Sequence, residues 1–156
     1  MRFGSGGPSG RDFRAPSLTT FRVVDSAGRI GEAMRLNDRV SLELSAADWD
    51  YANNTGSLPL KREATRAWYR VAGASDWLPA QVVLTADDNG SLFTLGRIPA
   101  GDVYRAELPG ATSALGGVDV RVEVEDADGN HVTWTQSPAF VVEPPVRTTR
   151  RRALRP

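Results

Sequence analysis

The chain has 156 residues, 40% of them hydrophobic, with Gly 15, Pro 10 and no cysteine. That is enough apolar material for one core, and the absence of Cys excludes a disulfide framework or a thiolate metal centre. Lys and Arg balance Asp and Glu at 19 each, but five arginines lie in the last ten residues and the first fourteen carry a net +2, leaving the body at −7. An acidic body argues against broad electrostatic binding of nucleic acid by the fold itself.

Residues 1–16 are Gly, Ser, Pro and Arg with isolated Phe3 and Phe13, a composition that buries too little surface to offset ordering and predicts a flexible arm. The start lacks the apolar stretch of a signal peptide, and no run reaches the length of a membrane span. Leu18 to Val24 is the first strand candidate, with Phe21 and Val23 inward, and Asp25-Ser26-Ala27-Gly28 is a turn. Ile30 to Asn37 suits either a helical turn or a short strand. Val40, Leu42 and Leu44 alternate with Ser41, Glu43 and Ser45, the pattern of a half-buried strand.

A long polar stretch follows from Ala46 to Lys61. Thr65 to Val71 reads as a strand with Tyr69 and Val71 on one face and Trp68 on the other, Gly73 to Pro79 as a turn carrying Trp77, and Gln81 to Thr85 as a short apolar strand. Asp87-Asp88-Asn89-Gly90 is a hairpin signal, followed by strands at Leu92 to Leu95 and Val103 to Leu108. From Gly117 to Val142 the chain reads as a long hairpin. Val118, Val120, Val122 and Val124 mark one face, Asp128-Gly129 the turn, and Val132 and Trp134 the return. Pro138 interrupts the returning strand, which suits an edge or a bulge, and Pro144-Pro145 closes it. This predicts an all-β, two-sheet antiparallel sandwich of seven to nine strands over 17–143, with the arm at 1–16 and a Pro/Arg-rich tail at 144–156.

Three stretches carry the fold-level resemblance: Trp68-Tyr69-Arg70-Val71 with Trp77; Val103 to Pro109; and Val118 to Val122 leading into Asp126 to Asn130. Over roughly 65–142 the chain resembles the immunoglobulin-like or fibronectin type III-like modules of bacterial exported proteins. It is similar in particular to accessory regions of secreted subtilisin-like proteases. The resemblance implies an immunoglobulin-like sandwich and an extracellular or cell-surface setting within a larger exported protein. It implies no single function, because such modules serve as spacers, adhesins and binding domains.

Two oxygen clusters stand out. Asp126, Asp128 and Asn130 resemble the opening of a calcium loop, but position twelve from Asp126 is Ser137, and Asp-Gly also makes an ordinary tight turn. Asp48, Asp50, Asn53 and Asn54 form the second, which suits either a calcium site shared with a neighbouring loop or a solvated polar loop. Calcium is the one cofactor these patterns accommodate; the turn and loop readings need none. Asn53-Asn54-Thr55 is a glycosylation sequon in a eukaryotic secretory host.

Trp49 and Tyr51 are the candidate contact residues for a glycan or protein surface, with Asn53 and Asn54 beside them. Trp134 belongs to the core register, and Trp68 to an outer face under Arg stems. His131, the single histidine, sits on the polar register, and no Gly-x-Ser-x-Gly elbow, phosphate loop or dinucleotide fingerprint occurs. The chain therefore reads as a non-catalytic spacer or accessory binding module with a protein or glycan partner and no membrane insertion. The alternatives are self-assembly by edge-strand addition and calcium-assisted carbohydrate binding.

Overall fold

The computed structural model describes residues 15–49, 57–58, 60–86 and 102–145. Ten strands occur among them: β1 (Ser17–Asp25), β2 (Ala33–Arg35), β3 (Val40–Trp49), β4 (Ser57–Leu58), β5 (Arg66–Arg70), β6 (Leu78–Ala80), β7 (Val82–Ala86), β8 (Asp102–Glu107), β9 (Gly116–Glu125) and β10 (His131–Glu143). Seven of the ten have five residues or more, and one 3-10 turn, Arg62–Ala64, precedes β5. The first sheet runs β1-β3-β8-β7 with β4 attached to β3; the second runs β2-β10-β9-β5-β6.

Two sheets face each other because each strand alternates. Val118, Val120, Val122 and Val124 of β9 are all fully buried, and Leu42, Leu44 and Ala46 of β3 meet them from the other sheet. Each such valine or leucine contributes about 1.5–3 kcal/mol over its exposed state, so the faces close on each other rather than on water. Phe21 and Val23 of β1 point inward as the alternation predicts, and Phe21 packs edge-on against Trp134 at 4.4 Å between centroids. Tyr69 is buried inward on β5, and its hydroxyl donates to the Pro109 carbonyl at 2.6 Å, tying the second sheet to the β8–β9 loop.

The undecided stretch after Gly28 becomes β2, and it pairs with β10 in parallel, at Ala33↔Val141, Met34↔Val142 and Arg35↔Glu143. Among the described residues this is the one parallel pairing; the rest are antiparallel. Met34 is buried beneath it and Leu36 packs against the core beside it, so two apolar residues in a polar turn region seat the strand. At Pro138 the structure takes the bulge: β10 shifts register against β9 between Gln136 and Phe140. Pro138 sits over Gly117, where an added Cβ would lie 2.9 Å from the proline Cβ, so the bulge depends on glycine at that position.

The β9–β10 turn is tighter in chemistry than the Asp128-Gly129 signal implies. Gly129 adopts φ 90° while Asp128 does not enter the left-handed region, so a primed two-residue turn is absent. The Gly129 N–H donates to the Asp126 carbonyl and the Asp126 N–H to the Asn130 carbonyl, a turn closed by a glycine bulge.

Candidate functional site

Two of the residues singled out by composition, Asp48 and Trp49, lie where β3 finishes. Asp48 and Trp49 at the end of β3 pair with Leu58 and Ser57 of β4. The chain then forms a bridge from Leu60 to Asp126, and the Lys61 N–H donates to the Glu125 carbonyl at 2.8 Å. Thus Leu60 and Lys61, at the close of the long polar stretch, come back onto the β9–β10 turn. Asp50, Tyr51, Asn53 and Asn54 lie outside the described residues, as do the strand expected at Leu92 to Leu95, the Asp87 to Gly90 turn, all but the last two residues of the arm expected at 1–16 and all but the first two of the tail expected at 144–156.

Below this end lies a charged layer that the sequence reading missed. Arg62 makes a two-point pair with Asp102, Nε to Oδ2 at 2.8 Å and Nη2 to Oδ1 at 3.0 Å. The Asp102 side chain is 3% exposed, and Tyr104 donates its hydroxyl to the same carboxylate at 3.1 Å. Burial, with the Asp102 charge beside it, pushes the Tyr104 phenol up to about 12, against the opposing influence of Thr65 and Arg62. Thr65 is buried next to this group; its hydroxyl approaches Tyr104 without closing a bond of standard geometry. The available signal was the register: Asp102 stands on the same face as buried Tyr104 and Ala106, a position that demands a partner for a carboxylate.

Asp126 is 1% exposed, and its carboxylate is filled by its own turn. Oδ1 accepts the N–H groups of Asp128 and Asn130, both at 2.9 Å, and Oδ2 accepts the Asn130 side-chain amide at 3.0 Å. The same device occurs at Asp25, whose Oδ1 accepts from Ala27 N–H at 2.9 Å and Arg29 N–H at 2.8 Å, with Gly28 at φ 81° in the place of Gly129. The Asp25 turn lacks the flanking acid and amide of the calcium pattern. The shared geometry therefore belongs to the Asp-x-x-Gly turn and not to a ligand. Asp128 is exposed, Asp48 is buried, and no group of three or more His, Asp or Glu able to hold a metal occurs among the described residues.

The tryptophans separate as their registers predict. Trp134 faces inward; Trp68 lies on the outer face of the second sheet, opposite Arg121. Trp77 is flanked by the guanidinium groups of Arg70 and Arg121, at 4.5 and 4.3 Å from the ring centroid. Arg70 also pairs with Asp119 at 2.6 Å, and Ser137 donates to the other oxygen of that carboxylate at 2.5 Å. Burial favours the neutral form of Asp119, but the Ser137 hydroxyl and the Arg70 guanidinium outweigh it and hold its pKa below the usual value. His131 is exposed, which fits its polar register.

At the opposite end, clefts of about 370 and 410 Å³ flank Asn37 and Asp38. Their carboxylates Asp25, Asp38 and Glu107 are engaged: Glu107 accepts from Arg105 Nε at 3.2 Å, and Asp38 Oδ1 accepts the Ser26 hydroxyl at 2.5 Å and the Arg39 N–H at 2.8 Å. The Ser26 bond is the main reason the Asp38 pKa is lowered; burial opposes it, and the Arg39 N–H assists. No protein-family profile, curated protein or solved structure matches the chain.

Proposed function

We propose that the chain is a non-catalytic immunoglobulin-like module of an exported or cell-surface protein, acting as a spacer or accessory binding module. The observation that carries this reading is strand order. An immunoglobulin constant-type sandwich places strands A, B, E and D in one sheet and C, F and G in the other. Assigning A, B, C, D, E, F and G to β1, β3, β5, β7, β8, β9 and β10 reproduces both orders, β1-β3-β8-β7 and β10-β9-β5, with β2, β4 and β6 as short additions. In that scheme the B–C and F–G connections share one end, which is where Leu60 meets Asp126. Recognition is assigned to that end, with Trp49, Tyr51, Asn53 and Asn54 as contact residues for a glycan or protein surface.

The test is binding of the intact chain to an array of surface glycans, repeated with Trp49→Ala and Tyr51→Ala. Loss of an observed signal in the variants supports recognition at this end; full retention removes it. Turnover of peptide, ester or glycoside substrates that disappears in Asp102→Asn would overturn the non-catalytic reading.

Self-assembly is a second reading, favoured by β7. That strand has β8 on one side and no second partner among the described residues, and Val83 and Leu84 are 52% and 37% exposed. An apolar edge is a template for strand addition. A Val83→Lys variant that leaves the sedimentation behaviour of a concentrated sample unchanged would remove this reading.

A further inference from the structure

We propose that the outer face of β5 and β9, around Trp68 and Trp77, docks an extended acidic segment of a partner protein. On this face Arg66 and Trp68 of β5 stand opposite Glu123 and Arg121 of β9, with Thr133 and Thr135 of β10 in the same two rows. Arg121 is stacked on Trp77 and, like Arg66, makes no ion pair among the described residues. The acids nearby do not satisfy them. Asp119 is taken by Arg70 and Ser137, and Glu123 receives only the Thr133 hydroxyl at 3.4 Å.

Stacking fixes the plane of the Arg121 guanidinium and strips water from it, while leaving its N–H edge to pair with a carboxylate. Beside it, Trp68 is half-buried and its cross-strand partner Pro79 is exposed, giving the apolar contact that tryptophan- and arginine-centred interfaces use. Arg66 and Arg121 occupy adjacent rows on neighbouring strands. Two rows are separated by about 7 Å along a strand, which is also the spacing of residues i and i+2 in an extended peptide. The complementary ligand is therefore a strand-like segment with carboxylates at alternating positions and small polar residues between them. This surface is separate from the loop end assigned above and stands whether or not that end binds.

The probe is a fluorescein-labelled Gly-Ser-Glu-Thr-Glu-Thr-Gly peptide, with its Gln-for-Glu counterpart as control, titrated with the full chain at low salt and at 0.5 M salt. The expected result is salt-sensitive binding of the acidic peptide alone. Affinity falls about fivefold in Arg121→Gln and in Arg66→Gln, the change expected for one partly solvated charge pair. The Arg66 side chain makes no hydrogen bond or ion pair among the described residues, so its variant tests the surface even if Arg121→Gln loosens Trp77; Arg105→Gln, on the other sheet, leaves binding unchanged. Equal binding of the Gln peptide, no binding of either peptide, or indifference to both substitutions overturns the proposal. So does a concentration-dependent dimer that Arg121→Gln abolishes, which would give the face to a second copy of the chain.

Discussion

Asp126 and Asp25 carry the same turn at opposite ends of the molecule, yet they do so in different surroundings. Asp126 is buried and receives three N–H bonds, whereas the Asp25 turn is exposed and receives two. Replacing Asp126 with Ala strips a charged acceptor from a site that water does not reach freely, and is expected to cost about 1.5–3 kcal/mol, the range for bonds to charged groups. Asp25→Ala is expected to cost less than half as much, because water replaces the carboxylate. Urea midpoints at constant m-value measure both. Addition of calcium leaves the Asp126→Ala loss unchanged if the turn alone is the role of this residue, and a calcium-dependent rise in the midpoint of the unsubstituted chain would contradict that.

At the scale of elements, the two-residue periodicity was the most legible signal. β9 follows it without interruption, and the face expected to be apolar is the face that is buried; β3 buries its expected face too, but Ser41, Ser45 and Ala47 are buried on the other. β2 was not legible because three residues give too little periodicity, and its pairing depends on the distant 141–143 segment. Asp102 and Arg62 were passed over for a related reason. Each is unremarkable locally, and their pairing across forty residues is a product of topology. The candidate site was legible only in part: the sequence marked Asp126 and the stretch from Ala46 to Lys61 separately, and the bridge at Leu60 supplies the connection between them. At the β10 bulge, Gly117→Ala places a methyl 2.9 Å from the Pro138 Cβ and is expected to destabilise by about 1–3 kcal/mol, as overpacking does. Gly31→Ala, with nothing within 4 Å of the new atom, is the matched control and is expected to leave the thermal midpoint nearly unchanged.

For the molecule as a whole, two limbs of the pH–stability profile follow from groups already described. Asp119 and Asp38 have folded pKa values below the ordinary 3.8, so the unfolded chain takes up protons first on acidification. Their contribution is present above about pH 3.8 and is lost as the pH falls through the lower folded values. Asp119→Asn should therefore flatten the acid limb. Tyr104 behaves in the opposite sense. An unfolded tyrosine ionises near 10.0 and the folded one at about 12, so stability falls as the pH rises through that interval. Tyr104→Phe is expected to make the profile flatter there, and an unaltered alkaline limb would show that Tyr104 is not the group responsible.

The parallel pairing of β2 with β10 also determines how the molecule carries tension. Load entering from the β1 side pulls β2 towards its beginning, while load leaving after β10 pulls that strand towards its end, so the two slide past each other instead of peeling apart. The Val141 N–H to Glu32 carbonyl bond at 2.7 Å and the Leu36 N–H to Glu143 carbonyl bond at 2.9 Å are then strained together. Rupture requires both to yield at once, and forced unfolding follows the unfolding rate, not the equilibrium. Val141→Pro removes one of these donors at an exposed position and should lower the single-molecule rupture force more than it lowers the urea midpoint. A fold built this way would carry pull from one end of the chain to the other without opening, and an unchanged rupture force in the variant would locate the mechanical clamp elsewhere.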